Sequence, residues 1–165
     1  MNLTRIFRHI FTTDLHAHRC FPTHALTAIE HEIHAAESRH GGELRFVVET
    51  ALEGWPLWRD LGPRQRALEV FARLQVWDTA RRNGVLIYLL LADRDVEIVA
   101  DRGYDGLVTA GEWESACRLM ETEFRAARYK EGAIAGIHAV SALIERHFPA
   151  EPRDVNELPD RPVIL

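Results

Sequence analysis

The 165-residue chain contains little cysteine and no long apolar run. Its two cysteines, Cys20 and Cys117, are too few for a disulfide framework and favour a reducing compartment. The longest apolar run, Val85 to Ala92, is far shorter than the roughly 18 residues that a membrane-spanning helix needs. The first residues also lack the small-residue cleavage site of a secretory signal. We therefore expect a cytoplasmic protein without a transmembrane segment.

Basic charge is scarce as well. The chain has 20 lysines and arginines against 25 aspartates and glutamates, which gives a net charge of −5. Because nucleic-acid-binding domains usually carry a basic surface, this balance argues against nucleic acid as a partner. Apolar residues, by contrast, make up 47% of the chain, enough for the core of one domain of this length.

The pattern divides the chain into an arm at 1–20, a folded domain at 21–148 and a tail at 149–165. In the arm, apolar residues share one face of an amphipathic helix: Ile6, Phe7, Ile10 and Phe11. Such a helix could lie at a membrane interface, but base rates favour packing on its own domain or on a neighbouring subunit. The tail contains four prolines, so we expect it to be extended or disordered.

The domain at 21–148 predicts the order helix, strand, helix, strand, strand, helix, helix. Thr23 is expected to cap the first helix, and Thr109 with Glu112 forms a capping box for a later one. The loop at 54–62 contains Trp55 and Trp58 as anchors.

The apolar run at 85–92 shows no alternation, which is typical of a strand covered on both faces. Its predecessor at 44–51 should run parallel to it through a right-handed crossover. The three residues Asp93 to Asp95 are too few for a crossover, so the strand at 96–101 should return as a hairpin. We predict an α/β fold, a three-layer α/β/α sandwich with a small mixed sheet.

This topology gathers polar residues at one sheet edge. The first two strands begin there and the third strand ends there, which brings His40 and Glu43 near the segment 78–83 and Asp101-Arg102. Carboxylate and amide oxygens suit calcium or magnesium. The predicted metal ligands are Glu43, Asp78, Asn83 and Asp101. The predicted substrate-binding residues are Arg82 and Arg102, as clamps for phosphoryl oxygens, and Trp77, as a pocket wall.

Several motifs resemble the TPM domain family. They are Val76-Trp77-Asp78-Thr79, Asn83-Gly84-Val85-Leu86 and Val96 to Gly103, with Phe21-Pro22 and Gly42-Glu43-Leu44-Arg45-Phe46 upstream resembling its short cytoplasmic bacterial branch. The similarity spans about residues 20–148. It implies an α/β/α sandwich, a bound divalent cation, a bacterial envelope-maintenance context and a LemA-type membrane protein as neighbour. A plant thylakoid member of the family is described as an acid phosphatase, so the resemblance also implies that activity.

A second phosphatase-like pattern is better explained as a structural turn than as a catalytic motif. Asp93-Arg94-Asp95 follows an apolar strand, as in phosphatases that use the first aspartate as the nucleophile. Because the strand turns straight into a hairpin, no loop remains to hold a phosphate, and a hairpin tip is the favoured interpretation.

Two functions follow from these observations. One is a non-catalytic scaffold or assembly factor that binds a divalent cation or a partner, with the arm and the residues Val163-Ile164-Leu165 as docking segments. The alternative is a divalent-metal-dependent phosphomonoesterase. We favour the first because the sequence offers ligands without an evident reacting group.

Overall fold

The computed structural model describes residues 3–52, 61–152 and 155–165. The predicted loop at 54–62, with Trp55 and Trp58, lies almost entirely outside the described residues. The described elements in chain order are α1 (Leu3–Phe11), α2 (Asp14–Cys20), α3 (Thr23–Glu37), β1 (Glu43–Glu49), α4 (Pro63–Arg73), β2 (Gly84–Leu90), β3 (Asp95–Ala100), a short 3₁₀ helix (Arg102–Tyr104), α5 (Ala110–Arg125), α6 (Tyr129–His147) and β4 (Val163–Ile164).

The sheet has the order β3-β2-β1-β4. β1 and β2 are parallel, with Glu43 opposite Gly84, and α4 lies on the crossover between them. β2 and β3 are antiparallel and form the hairpin, with Val85 opposite Ala100. The parallel crossover and the hairpin confirm the predicted sheet.

Helices cover both faces of the sheet, which confirms the three-layer sandwich. α2, α3, α5 and α6 pack on one face, where Val85, Ile87 and Leu89 of β2 point. α4 packs on the other face, against Leu86 and Leu90. Because successive residues of a strand point to opposite faces, an uninterrupted apolar β2 supplies both cores at once. All of its residues are buried.

The tail contributes a fourth strand that the sequence did not predict. Val163 and Ile164 pair with Val47 and Val48 of β1, and Leu165 N–H donates to Val48 O at 2.9 Å. The end of the tail is thus extended, as one of the two expected states, but it is paired with β1 as a regular strand. These residues are part of the sheet and not free docking segments.

Helix capping agrees with the prediction at one end and differs at another. The Thr109–Glu112 capping box is present at the start of α5. α3, however, begins after Pro22, and no side chain caps it, so Thr23 is its first helical residue and not its cap. Within the described residues, no helix has the length and apolar character needed to cross a membrane.

Candidate functional site

The sheet edge where β1 and β2 begin brings together three of the predicted ligands. Glu43 lies opposite Gly84, the residue after Asn83. The backbone N–H of Asp101 donates to Gly84 O at 2.9 Å, which places the end of β3 at the same edge. The sheet register makes neighbours of Glu43, Asn83 and Asp101, although Glu43 and Asp101 are 58 positions apart in sequence.

Asn83 is the most enclosed residue of this edge. Its side-chain Nδ2 donates to Gly41 O, and its backbone N–H donates to Thr79 Oγ1 at 3.0 Å. Its carbonyl oxygen accepts from the Tyr104 hydroxyl at 2.9 Å. Its side-chain Oδ1, although buried, has no hydrogen-bond partner among the described residues. A buried polar atom without a partner is uncommon and calls for a ligand or water.

Asp101 presents a second oxygen of this kind. Its Oδ1 accepts from the backbone N–H of Arg102 at 2.8 Å and so caps the short 3₁₀ helix. Its Oδ2 is buried and has no hydrogen-bond partner in the described part of the chain. One carboxylate oxygen therefore holds the turn in place while the other is available for a ligand.

Glu43 is held by the tail instead. Its Oε2 accepts from the backbone N–H of Leu158 at 2.9 Å, and its side chain is buried. Burial raises the pKa of this carboxyl group, while the hydrogen bond from Leu158 opposes the rise. Burial thus disfavours the charged form that a metal ligand needs, and one carboxylate oxygen already accepts a backbone hydrogen bond, so Glu43 is less suited to a metal than Asp101.

Asp78 and the predicted substrate-binding residues lie at the surface. Asp78 is exposed in the turn after α4, where its backbone N–H donates to Gln75 O at 2.9 Å. Trp77 is 46% exposed, so it does not wall an enclosed pocket. Arg82 and Arg102 are exposed too.

The segments that carry Arg82 and Arg102 are in contact. Gly103 N–H donates to Arg82 O at 2.9 Å, and a Cβ at Gly103 would lie 2.3 Å from that oxygen. Only glycine allows this approach, so the two arginines lie on adjoining backbone beside Asp101.

The predicted set of acidic ligands is not assembled. Within the described residues, no group of three or more histidine, cysteine, aspartate or glutamate side chains is arranged to hold a metal ion. Glu43, Asp78 and Asp101 therefore do not form such a group, because Asp78 faces solvent and Glu43 is held by Leu158. The oxygens that fit a hard cation are Asn83 Oδ1 and Asp101 Oδ2.

Two further residues complete this edge. His40 is buried, its Nδ1 lies 3.3 Å from Gly42 N, and burial lowers its pKa, which favours the neutral imidazole. Tyr104, which the sequence analysis did not single out, fixes Asn83 through its hydroxyl, and burial raises its pKa. The signal for Tyr104 was faint: a single aromatic residue directly after Asp101-Arg102-Gly103.

A cavity of about 570 Å³ lies elsewhere, between β3 and α5. Its lining includes Glu97, Glu114 and Cys117. Both glutamates pair with arginines, at 3.3 Å for Arg64–Glu97 and 3.2 Å for Arg118–Glu114. Burial raises the pKa of the Cys117 thiol to about 12, so it is not a ready nucleophile.

Comparison with known proteins identifies the family. The family model of the TPM domain matches residues 20–143. The chain belongs to the TPM domain family. This confirms the resemblance that the Trp77-Asp78 and Asn83-Gly84 motifs indicated.

Two solved structures are similar to this TPM domain chain. The NMR structure of the BA42 protein from the psychrophilic bacterium Bizionia argentinensis is 27% identical, with a TM-score of 0.77, and the match covers 88% of this chain and 95% of that one. The N-terminal domain of a P. gingivalis protein is 23% identical, with a TM-score of 0.57, and covers 73% and 76%. The second likeness concerns the fold alone. No curated protein matches the chain.

Proposed function

We propose that this TPM-domain protein is a non-catalytic scaffold or assembly factor that binds a divalent cation at the edge where β1 and β2 begin. The supporting observation is the pair of buried side-chain oxygens without partners, Asn83 Oδ1 and Asp101 Oδ2. Burying such atoms unsatisfied costs free energy, and a bound cation would remove that cost.

Magnesium suits this donor set better than calcium. Calcium takes six to eight oxygen ligands, whereas magnesium keeps several waters and binds through one or two carboxylates. Asp101 and Asn83 would supply one carboxylate and one amide oxygen, with waters completing the shell. His40, neutral and buried nearby, adds no positive charge that would oppose the cation.

The experiment is a titration of the ¹⁵N-labelled protein with magnesium chloride, followed by NMR. We expect the largest amide shifts at Gly84, Arg102 and Gly103. Asp101→Asn keeps an oxygen acceptor for the Arg102 N–H but removes the charge, so it should abolish the shifts. Asp105→Asn removes the same charge from the exposed end of the same turn and should leave them intact. Shifts that persist in Asp101→Asn, or that centre elsewhere, would refute the site.

One observation favours the alternative of a metal-dependent phosphomonoesterase. Arg82 and Arg102 are exposed on adjoining backbone beside Asp101, where they could bind the oxygens of a phosphate group. Turnover of a chromogenic phosphomonoester with magnesium would support this function if Asp101→Asn and Arg102→Gln both abolish it. Equal turnover by wild type and both variants would mean a contaminating enzyme.

The proposed partner is a membrane-associated protein of the LemA type, as the family resemblance suggests. The same edge would present the cation and the two exposed arginines to it. Cross-linking of the two purified proteins, with wild type compared with Asp101→Asn, tests whether binding depends on this edge.

A further inference from the structure

Helix α1 is attached to the domain by its polar side chains. Arg5 Nε donates to Asp93 Oδ2 at 2.9 Å, and Arg5 Nη2 donates to Leu61 O at 2.7 Å. The backbone N–H of Leu52 donates to Nδ1 of His9 at 2.8 Å, and His9 is buried. Amphipathic surface helices usually bury the apolar face, so this orientation is reversed.

The apolar side of α1 consequently faces solvent. Among its apolar residues, Ile6 packs against the core. Phe7 is 58% exposed and Phe11 77%, and their rings stack with centroids 6.4 Å apart. The other exposed apolar side chains of this surface are Leu3, Ile10 and Leu15. Of the two expected packings of the arm, on its own domain or on a neighbouring subunit, the first holds for Ile6 but not for Phe7, Ile10 and Phe11. We call the five exposed side chains the apolar ridge: Leu3, Phe7, Ile10, Phe11 and Leu15. Large exposed apolar patches mark interaction sites, and the stacked rings of Phe7 and Phe11 form the centre of this one.

The charges around the apolar ridge differ in sign from those of the whole chain. Arg8, Arg19 and Arg94 are exposed on or next to α1 and α2, the last at the hairpin tip beside Asp93. Asp14 is the acidic residue within α1 and α2. The chain as a whole has a net charge of −5. Exposed arginines on these helices and at the neighbouring hairpin tip complement an anionic lipid surface, with apolar side chains entering the acyl boundary and Arg19 and Arg94 contacting headgroups while Arg8 stays paired with Asp93.

A second copy of the chain is a weaker candidate for this surface. A stable protein interface engages about 20–30 residues on each side. The apolar ridge offers only five large side chains, four on α1 and Leu15 on α2. Exposed arginines on both copies would also repel each other across a symmetric contact.

We propose that α1 and the start of α2 form a docking surface for an anionic lipid bilayer. The ion pairs of Arg5 and Arg8 with Asp93, at 2.8 and 3.0 Å, hold the helix in its binding orientation before it meets the lipid. Asp93 follows the end of β2, whereas Asn83 precedes its start. The docking surface and the candidate cation site thus lie at opposite ends of the sheet, so a docked protein would present that site away from the lipid.

The test is co-sedimentation with sucrose-loaded vesicles of phosphatidylcholine alone or mixed equally with phosphatidylglycerol, at low salt. Wild type should bind the mixed vesicles and bind phosphatidylcholine at least about tenfold more weakly. Phe7→Ala/Phe11→Ala should lower binding to the mixed vesicles about tenfold or more. Leu68→Ala/Leu119→Ala removes two apolar side chains of 47% and 43% exposure outside the apolar ridge and should bind like wild type. All variants should keep the wild-type circular dichroism and melting temperature, because the removed groups are exposed.

Three results would overturn the proposal. One is no binding of wild type to either vesicle. A second is unchanged binding of the double phenylalanine variant. The third is a concentration-dependent dimer in sedimentation velocity that the phenylalanine variant abolishes, without lipid binding, which would assign the apolar ridge to a second copy.

Discussion

Glu49 shows how a charged residue is accommodated at the end of a buried strand. Its carboxylate accepts hydrogen bonds from Arg66, at 2.9 Å from Nε and from Nη2, and from the Tyr88 hydroxyl at 2.7 Å. The hydrogen bonds to Glu49 raise the pKa of the Arg66 guanidinium, and burial raises the pKa of the Tyr88 hydroxyl, so both groups stay protonated. Three of the donors, Arg66 Nε and Nη2 and the Tyr88 hydroxyl, share this carboxylate, while Arg66 Nη1 donates to Glu69 at 2.9 Å.

Removing the acceptor should therefore cost more than removing one donor. We expect Glu49→Ala to lower the free energy of unfolding by about 2–3 kcal/mol, because it leaves the Arg66 guanidinium with only the exposed Glu69 and the buried Tyr88 hydroxyl without its acceptor. Tyr88→Phe should cost about 1 kcal/mol, the usual value of one hydrogen bond. Urea denaturation followed by fluorescence measures both. Equal losses in the two variants would contradict the central role of Glu49.

Glu37 gives the protein a pH-dependent stability. Burial raises the pKa of its carboxyl group from 4.5 to about 9, and the acids Glu43 and Asp160 add to the rise. The folded state therefore holds a proton that the unfolded state releases. The free energy of unfolding contributed by this group is full below about pH 4.5 and is lost as the pH rises towards 9.

The variant Glu37→Gln tests this assignment. The amide keeps an oxygen acceptor for the Leu44 N–H, which donates to Glu37 Oε1 at 2.8 Å. Between about pH 5 and pH 9, stability should fall less steeply in the variant than in wild type. Urea unfolding at several pH values measures the difference between the two slopes. Parallel slopes would show that Glu37 does not hold the proton.

For the site residues, the sequence predicted position better than role. Strand directions alone placed Glu43, Asn83 and Asp101 at one edge, and the structure brings them there. The roles depend on partners that no spacing encodes. Glu43 is not free to bind a cation because it accepts a hydrogen bond from Leu158 of the tail. Asp78 is not part of the site because it lies in a solvent-exposed turn.

At the scale of elements, Gly84 controls the contact between β2 and the segment after α4. A Cβ at this position would lie 1.9 Å from Val76 O, a backbone atom that cannot rotate away. The close approach brings the start of β2, and with it Asn83, against the turn that contains Asp78.

We expect Gly84→Ala to lower the free energy of unfolding by about 2–3 kcal/mol, the cost of forcing packed backbone apart. Gly111→Ala is the matched control, because a Cβ there meets no atom within 4 Å. It should change stability by no more than about 0.5 kcal/mol. Thermal and urea unfolding provide both values, and a harmless Gly84→Ala would show that this packing is looser than described.

The elements were predictable where periodicity is strong. The uninterrupted apolar run of β2 and the capping box of α5 carry their signals in adjacent residues. β4 has only two residues close behind a proline, and its pairing depends on β1, more than 100 positions away. For α1 the sequence showed an apolar face but not its direction, because ion pairs with the distant Asp93 decide that.

At the scale of the whole molecule, the sheet separates the two proposed sites. The proposed cation site lies where β1 and β2 begin, and the apolar ridge lies beyond the end of β2. The described residues between them form a close-packed sheet with helices on both faces.

We expect the two ends to work independently. Phe7→Ala/Phe11→Ala should leave the magnesium-induced NMR shifts of Gly84 and Arg102 unchanged, because no side chain near those amides is altered. Asp101→Asn should leave vesicle binding unchanged for the same reason. Loss of both activities in either variant would indicate a change in the fold or a coupling between the two ends.

The most direct test of the cation site is a crystal structure of the full chain grown with magnesium chloride. We predict an ion at about 2.1 Å from Asn83 Oδ1 and Asp101 Oδ2, with waters in the remaining positions. Magnesium bound at other residues, or these two oxygens hydrogen-bonded to ordered water at saturating magnesium, would contradict the account.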